Sequence, residues 1–205
     1  MDRLVMGGLL TAVAVVPAIA RADQGEWRIG AAGGAMVVDA RVGGANGTGI
    51  GFEACGRLGY GLSNTFELGL VGGYAHAADV EVDGATVDGQ TGKLFANVST
   101  VSLAVELRWA PGVGLARAFE RTAPYLAGRG GGALVVGTSQ QLFMESSLLL
   151  ASPTDDVHLR AFIGGALGIE HRLGDHFFLA VELAAATTGE ARTFDVTAEV
   201  SWAWY

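Results

Sequence analysis

Hydrophobic and polar residues alternate with a period of two along most of this chain, and the pattern is clearest at its C-terminal end. Phe194, Val196, Ala198, Val200, Trp202 and Trp204 fall on one side of an extended strand, with Thr193, Asp195, Thr197, Glu199, Ser201 and Ala203 on the other. The same alternation predicts eight strands, at approximately 26–38, 49–62, 65–78, 98–110, 122–137, 158–173, 176–187 and 193–205. Each is long enough to cross a bilayer as a tilted strand, which takes about 9 to 11 residues.

The connections carry a second pattern. In order they are moderate (39–48), tight near Asn64, long (79–97), medium (111–121), long (138–157), tight near Asp175 and short (188–192). Longer and shorter connections largely alternate, as in membrane barrels with short turns on one side and longer loops on the other. Residues 111–121 are long for such a turn, and 188–192 are short for an outer loop. The two tight turns repeat one motif, Leu62 to Leu68 and Leu173 to Leu179. If Leu58, Tyr60, Phe66 and Leu68 share a face, the loop must hold an odd number of residues. Three-residue loops at Leu62–Asn64 and Leu173–Asp175 satisfy this and place Asn64 and Asp175 where a left-handed residue is wanted.

Assigning faces strand by strand puts Trp27, Ile29, Phe52, Leu58, Leu70, Leu103, Val105, Leu126, Leu167 and Val181 on the outward side. The opposite side collects the charges: Glu26, Arg28, Glu53, Arg57, Glu67, Glu106, Arg108, Arg129, Arg160, Glu170, Arg172, Glu182, Asp195 and Glu199. Between them stand mainly Gly, Ala, Ser and Thr. Eight strands enclose an interior just wide enough for its own side chains, so small residues leave room for long arginines. Isolated charges there would be costly, and the mixture of acids and arginines predicts a paired, hydrogen-bonded network in the lumen. Trp27, Tyr60, Phe66, Trp109, Tyr125, Phe177, Trp202 and Trp204 cluster at one set of strand ends and predict an interfacial membrane girdle, with Tyr74 a candidate for the opposite rim.

Export fits this reading. Leu4 to Val16 is an apolar run of signal-peptide length, preceded by Arg3 and followed by Pro17 and small residues. Cleavage is expected after Ala20 or Ala22, the latter preferred, which makes residues 1–22 a signal peptide and 23–205 one barrel domain. Removing the signal takes away Asp2, Arg3 and Arg21 and leaves 20 acidic and 11 basic residues, a net charge of −9. That balance argues against nucleic acid, which requires a basic stripe. Lys93 is the only lysine, whereas a soluble domain of this size carries many more surface charges. Cys55, the single cysteine, cannot form an internal disulfide and reads as a small side chain facing a packed interior.

With this strand count, turn order and terminal aromatic strand, the chain resembles the small outer-membrane β-barrel proteins of the OmpA and OmpX type. The resemblance implies an all-β, eight-stranded antiparallel up-and-down transmembrane β-barrel in the bacterial outer membrane. Its partners would be outer-membrane lipid, lipopolysaccharide and the barrel assembly machinery. That machinery recognises a terminal aromatic strand, matched here by Val196, Ala198, Val200, Trp202 and Trp204, with Tyr205 one residue out of phase. A monomer with a structural, adhesive or envelope-stabilising role is expected. One alternative is a narrow channel or a binder of small hydrophobic ligands, which requires a lumen gap or a lateral opening. Another is a lipid-A-modifying enzyme, which requires a rim histidine within reach of a serine or carboxylate.

Individual motifs carry less. Asp79 to Gly84 resembles the start of a calcium loop, but the twelfth position is Gln90 in place of a bidentate glutamate, so a solvated acidic outer loop is expected and no metal. Gly128 to Gly132 lacks the lysine and the strand-to-helix setting of a phosphate loop and reads as a bent strand. His76, His158, His171 and His176 join no recognisable catalytic motif. Neither enzymatic activity nor a cofactor is expected.

Overall fold

The computed structural model describes residues 24–42, 45–87, 90–110, 121–144, 147–149, 156–189 and 191–205. The expected signal peptide, residues 1–22, and most of the medium connection, 111–120, lie outside these. Nine strands form, with no helix among the described residues: β1 (Trp27–Val42), β2 (Ala45–Gly61), β3 (Phe66–Val87), β4 (Gln90–Trp109), β5 (Thr122–Met144), the short β6 (Ser147–Leu149), β7 (Asp156–Arg172), β8 (Phe177–Thr187) and β9 (Ala191–Trp204). All neighbours are antiparallel. The β1–β9 pairing, from Trp27↔Trp204 to Ala40↔Ala191, closes the sheet into an eight-stranded ring, with β6 folded back on β5 alone.

Period-two alternation becomes a two-sided wall. Leu103, Val105 and Leu107 on β4, and Leu179, Val181 and Leu183 on β8, are exposed on the outside, while Ala104, Glu106, Arg108, Phe178, Ala180 and Glu182 between them are buried within. A soluble barrel would show the reverse. An exposed apolar belt on a closed ring is what hydrocarbon selects, because every backbone amide inside it is already paired.

Both tight turns are displaced by one residue from the sequence expectation. Leu62 N donates to Phe66 O (3.0 Å) and Leu173 N to Phe177 O (2.9 Å), which makes the loops Ser63–Thr65 and Gly174–His176. The odd residue count is kept. At the first turn Ser63 Oγ accepts from the amides of Thr65 (3.3 Å) and Phe66 (3.1 Å), so the bend begins at the residue able to satisfy them.

The largest departure concerns residues 79–97. In place of a loop, β3 and β4 continue as one tall hairpin and, with β5, raise one side of the ring. A bulge between Ala77 and Val80 shifts the β3 register. Val80 and Val82 then point inward with Leu94 and Ala96 from β4, while Glu81 and Asp83 are exposed. Glu81 pairs with Lys93, whose ammonium is held above the usual lysine range by that hydrogen bond. The calcium-like stretch therefore lies on an extended strand. Likewise β5 and β6 extend into the stretch 138–157, which the sequence pattern marks as a long connection. The β8–β9 side is low, turning at Thr188 and Gly189, the latter at φ 87°. The β7–β8 pairing ends at Ile163↔Thr187, so the part of β7 from Asp156 to Phe162 rises above its neighbour.

Leu103 is 57 % exposed in the middle of β4. Leu103→Arg should cost about 2 to 4 kcal/mol at the bilayer midplane. Urea unfolding of the barrel refolded in lipid measures this, and a variant as stable as the parent would contradict the facing.

Candidate functional site: a charge plug beneath an apolar cup

The lower lumen is filled by four arginines and five glutamates. Glu106, 0 % exposed, lies at the centre. Its carboxylate accepts from Arg57 Nε (2.7 Å) and Arg129 Nε (2.5 Å) and lies 2.7 Å from Arg108 Nε. Arg108 Nη2 donates to Glu199 (2.6 Å), Arg28 Nη1 to Glu170 (2.6 Å), Arg57 also to Glu67, and Arg129 also to Glu182. Guanidinium forks suit this work, because one arginine bridges two carboxylates on different strands. The network thus ties β1, β2, β3, β4, β5, β7, β8 and β9 across the ring. A void of about 10 Å³ remains among Cys55, Arg57, Arg108, Arg129, Glu182 and Glu199, at the lower limit for one water.

Of the other inward charges expected from sequence, Glu26 is buried at the lower end and Arg160 half-buried toward the upper. Arg172 does not join the described ion pairs; it donates to the carbonyls of Gly174 (2.8 Å) and Asp175 (2.6 Å) and closes the β7–β8 turn. Glu53 and Asp195 lie above the network, and neither has a hydrogen bond or ion pair to a described residue.

Seven of the eight expected girdle aromatics are exposed on the outer wall at one end: Trp27, Tyr60, Phe66, Trp109, Phe177, Trp202 and Trp204. Register aligns them, with Trp27↔Tyr60, Phe66↔Trp109 and Phe177↔Trp202 as cross-strand pairs. Tyr125 is a correction. It is 1 % exposed inside the lumen, where its hydroxyl donates to Glu182 Oε2 (2.7 Å) and Arg108 lies 4.7 Å over its ring. The space it fills exists because Gly168 has no side chain; a Cβ there would lie 2.2 Å from the ring. Tyr125 has the parity of Arg129 on the same strand, and that parity was the signal available in the sequence.

Above the plug the lumen changes character. A cavity of about 120 Å³ is walled by Met36, Val71, Val98, Val135, Phe162 and Ala184, among others, and extends to Thr188 and Ala191 at the low rim. Its polar floor is Glu53, Arg129 and Asp195. Beside it, Val38, Ala77, Val80, Val82 and Leu94 pack with Met36 as a buried apolar cluster against the tall wall.

The same ring occurs among solved structures. Neisserial surface protein A aligns with a TM-score of 0.59 at 12 % identity, over 87 % of this chain and 99 % of that one. The fold is that of an eight-stranded outer-membrane β-barrel. The N-terminal barrel domain of Pseudomonas aeruginosa OprF (TM-score 0.47, 15 % identity, 88 % of this chain and 98 % of that one) and the attachment invasion locus protein of Yersinia pestis (0.45, 11 %, 88 % and 99 %) are also similar. At these identities the likeness is one of fold. No protein-family model and no curated protein matches the chain.

The histidines are placed at both ends of the barrel. His76 Nδ1 lies 2.9 Å from Ser99 Oγ near the outer rim, its ring tilted against that of Phe52. This is the histidine–serine proximity that an enzymatic barrel would need. No carboxylate among the described residues hydrogen-bonds to either member, and two polar side chains at the edge of an apolar belt satisfy each other. His158 is exposed on β7. His171 lies 2.8 Å from Thr122 Oγ1, and His176 donates to Ala203 O (2.9 Å), both at the lower end.

Glu106→Gln removes the charge that three arginines share. Breaking one partner of a buried network costs about 3 to 5 kcal/mol. Equilibrium unfolding in lipid should show that loss, together with a lower temperature for the heat-dependent shift in gel mobility.

Proposed function

We propose that this outer-membrane barrel binds a small hydrophobic molecule in an outward-facing cup and does not conduct. The observation that carries the reading is the apolar cavity standing directly on the ion-pair plug. An apolar wall open to the outside is exposed to water, and a hydrophobic ligand seated on it would remove that area from water at about 25 cal/mol per Å². A through-pore would need a continuous wet path, and the arginine–glutamate lattice occupies the lower lumen where that path would run. About 120 Å³ suits an aromatic ring or a short alkyl chain. The low β8–β9 rim supplies access from the side, and the tall β3–β4–β5 wall closes the other. The structural role of a stable ring in the envelope is common to this reading and to a purely mechanical one; the cup separates them.

Ala75 lines the cavity and sits away from the plug. Benzyl alcohol, as a neutral probe in ligand-observed NMR with the refolded barrel in nanodiscs, should bind the parent, and Ala75→Phe should abolish that binding while keeping the heat-dependent gel shift. Planar-bilayer recordings should show no steady current. Equal binding by parent and Ala75→Phe would remove the cup reading.

A further inference from the structure

Two carboxylates stand at the bottom of the apolar cup without an ion pair among the described residues. Asp195, on β9, is only 7 % exposed, lines the cavity, and its buried Oδ1 has no hydrogen-bond partner. Glu53, on β2, lines the same floor and likewise has no ion pair among the described residues. The strand between them, β1, presents Gly34 inward: Gly34 pairs with Glu53 on one side and with Thr197 on the other. At Gly34 no side chain fits, because a Cβ there would lie 1.9 Å from Val196 O, and Met36 is the inward β1 residue paired with Asp195.

The plug below cannot neutralise them. Its described ion pairs join four arginines, Arg28, Arg57, Arg108 and Arg129, to five glutamates, Glu67, Glu106, Glu170, Glu182 and Glu199. Arg129 is the only one of the four to line the cup, and its guanidinium is already directed to Glu106 and Glu182. A buried carboxylate with no donor carries a large desolvation cost, which either a proton or an opposite charge from outside relieves.

Resting on the reading of the cup as a ligand site, we infer that its ligand is a small organic ammonium ion: an apolar body against the cup wall and a cationic nitrogen lodged between Asp195 and Glu53. An ammonium group offers several N–H donors to a site that presents acceptors. The hydroxyls of Thr100, Ser102 and Thr193 add further acceptors on the cavity wall. A neutral head supplies fewer donors and no charge, and an anionic one would be repelled. The acidic balance of the chain, −8 overall, adds a field that draws cations toward the mouth.

The test compares benzylammonium, benzyl alcohol and benzoate on the refolded full barrel in nanodiscs, with Ala75→Phe as the blank. Benzylammonium should bind about tenfold or more tightly than the isosteric alcohol, as charge-assisted hydrogen bonds allow, with benzoate weakest. Asp195→Asn and Glu53→Gln should each remove most of that preference while leaving benzyl alcohol binding within about twofold. Because neither acid holds an arginine, both variants should unfold at least as late in urea as the parent, whereas a role within the plug would make them less stable. Equal binding of ammonium and alcohol, or a preference unchanged in Asp195→Asn and Glu53→Gln, overturns the ammonium inference and leaves the cup intact. Failure of all three probes to bind removes the cup reading and the inference with it.

Discussion

The constraint from which the rest of this structure follows is that a backbone in hydrocarbon has no water to bond. Every amide in the belt must find a carbonyl within the chain, and a sheet meets that demand only by having no edge. The β1–β9 pairing supplies the missing neighbour at both ends of the strand order. Once the ring is closed, the pleat forces each strand to choose one set of side chains for lipid and one for the lumen. The apolar belt and the arginine–glutamate filling are two results of that single choice.

The lumen then has two solutions stacked along its axis. In the lower half, long charged side chains reach across a ring too narrow for bulk water and bind one another, with Tyr125 filling the place left by Gly168. In the upper half the same inward parity carries Met36, Val38, Leu94 and Val98, and the space is lined with hydrocarbon instead of ions. Asp195 and Glu53 occupy the boundary between the two. They face the apolar cup above, while the four arginines of the plug below are held by other glutamates.

Much of this was legible in the sequence because alternation with one buried face is a strong signal. The eight spanning strands, the outward leucines of β4 and β8 and the inward arginines were all readable from parity. The tall hairpin was not, and the reason is physical. The inward positions of β4 change from Glu106 and Arg108 to Leu94, Ala96 and Val98, and the bulge after Ala77 moves the inward residues of β3 onto Val80 and Val82. A pattern calibrated on lipid outside and charge inside reads that reversal as the end of the strand. Tyr125 was misassigned because position near a strand end was weighed above parity. The cup itself has no linear signature, since it is a space left by Ala, Gly, Ser and Thr on separate strands and is visible only when they are brought together.

Closure also governs the order of assembly. The partners that satisfy Trp27 to Ala40 are Ala191 to Trp204, the farthest residues along the described chain. Until that last strand is in place, β1 has an open flank that hydrocarbon would penalise along its whole length. Sealing the ring therefore requires β1 and β9, from opposite ends of the described chain, to meet.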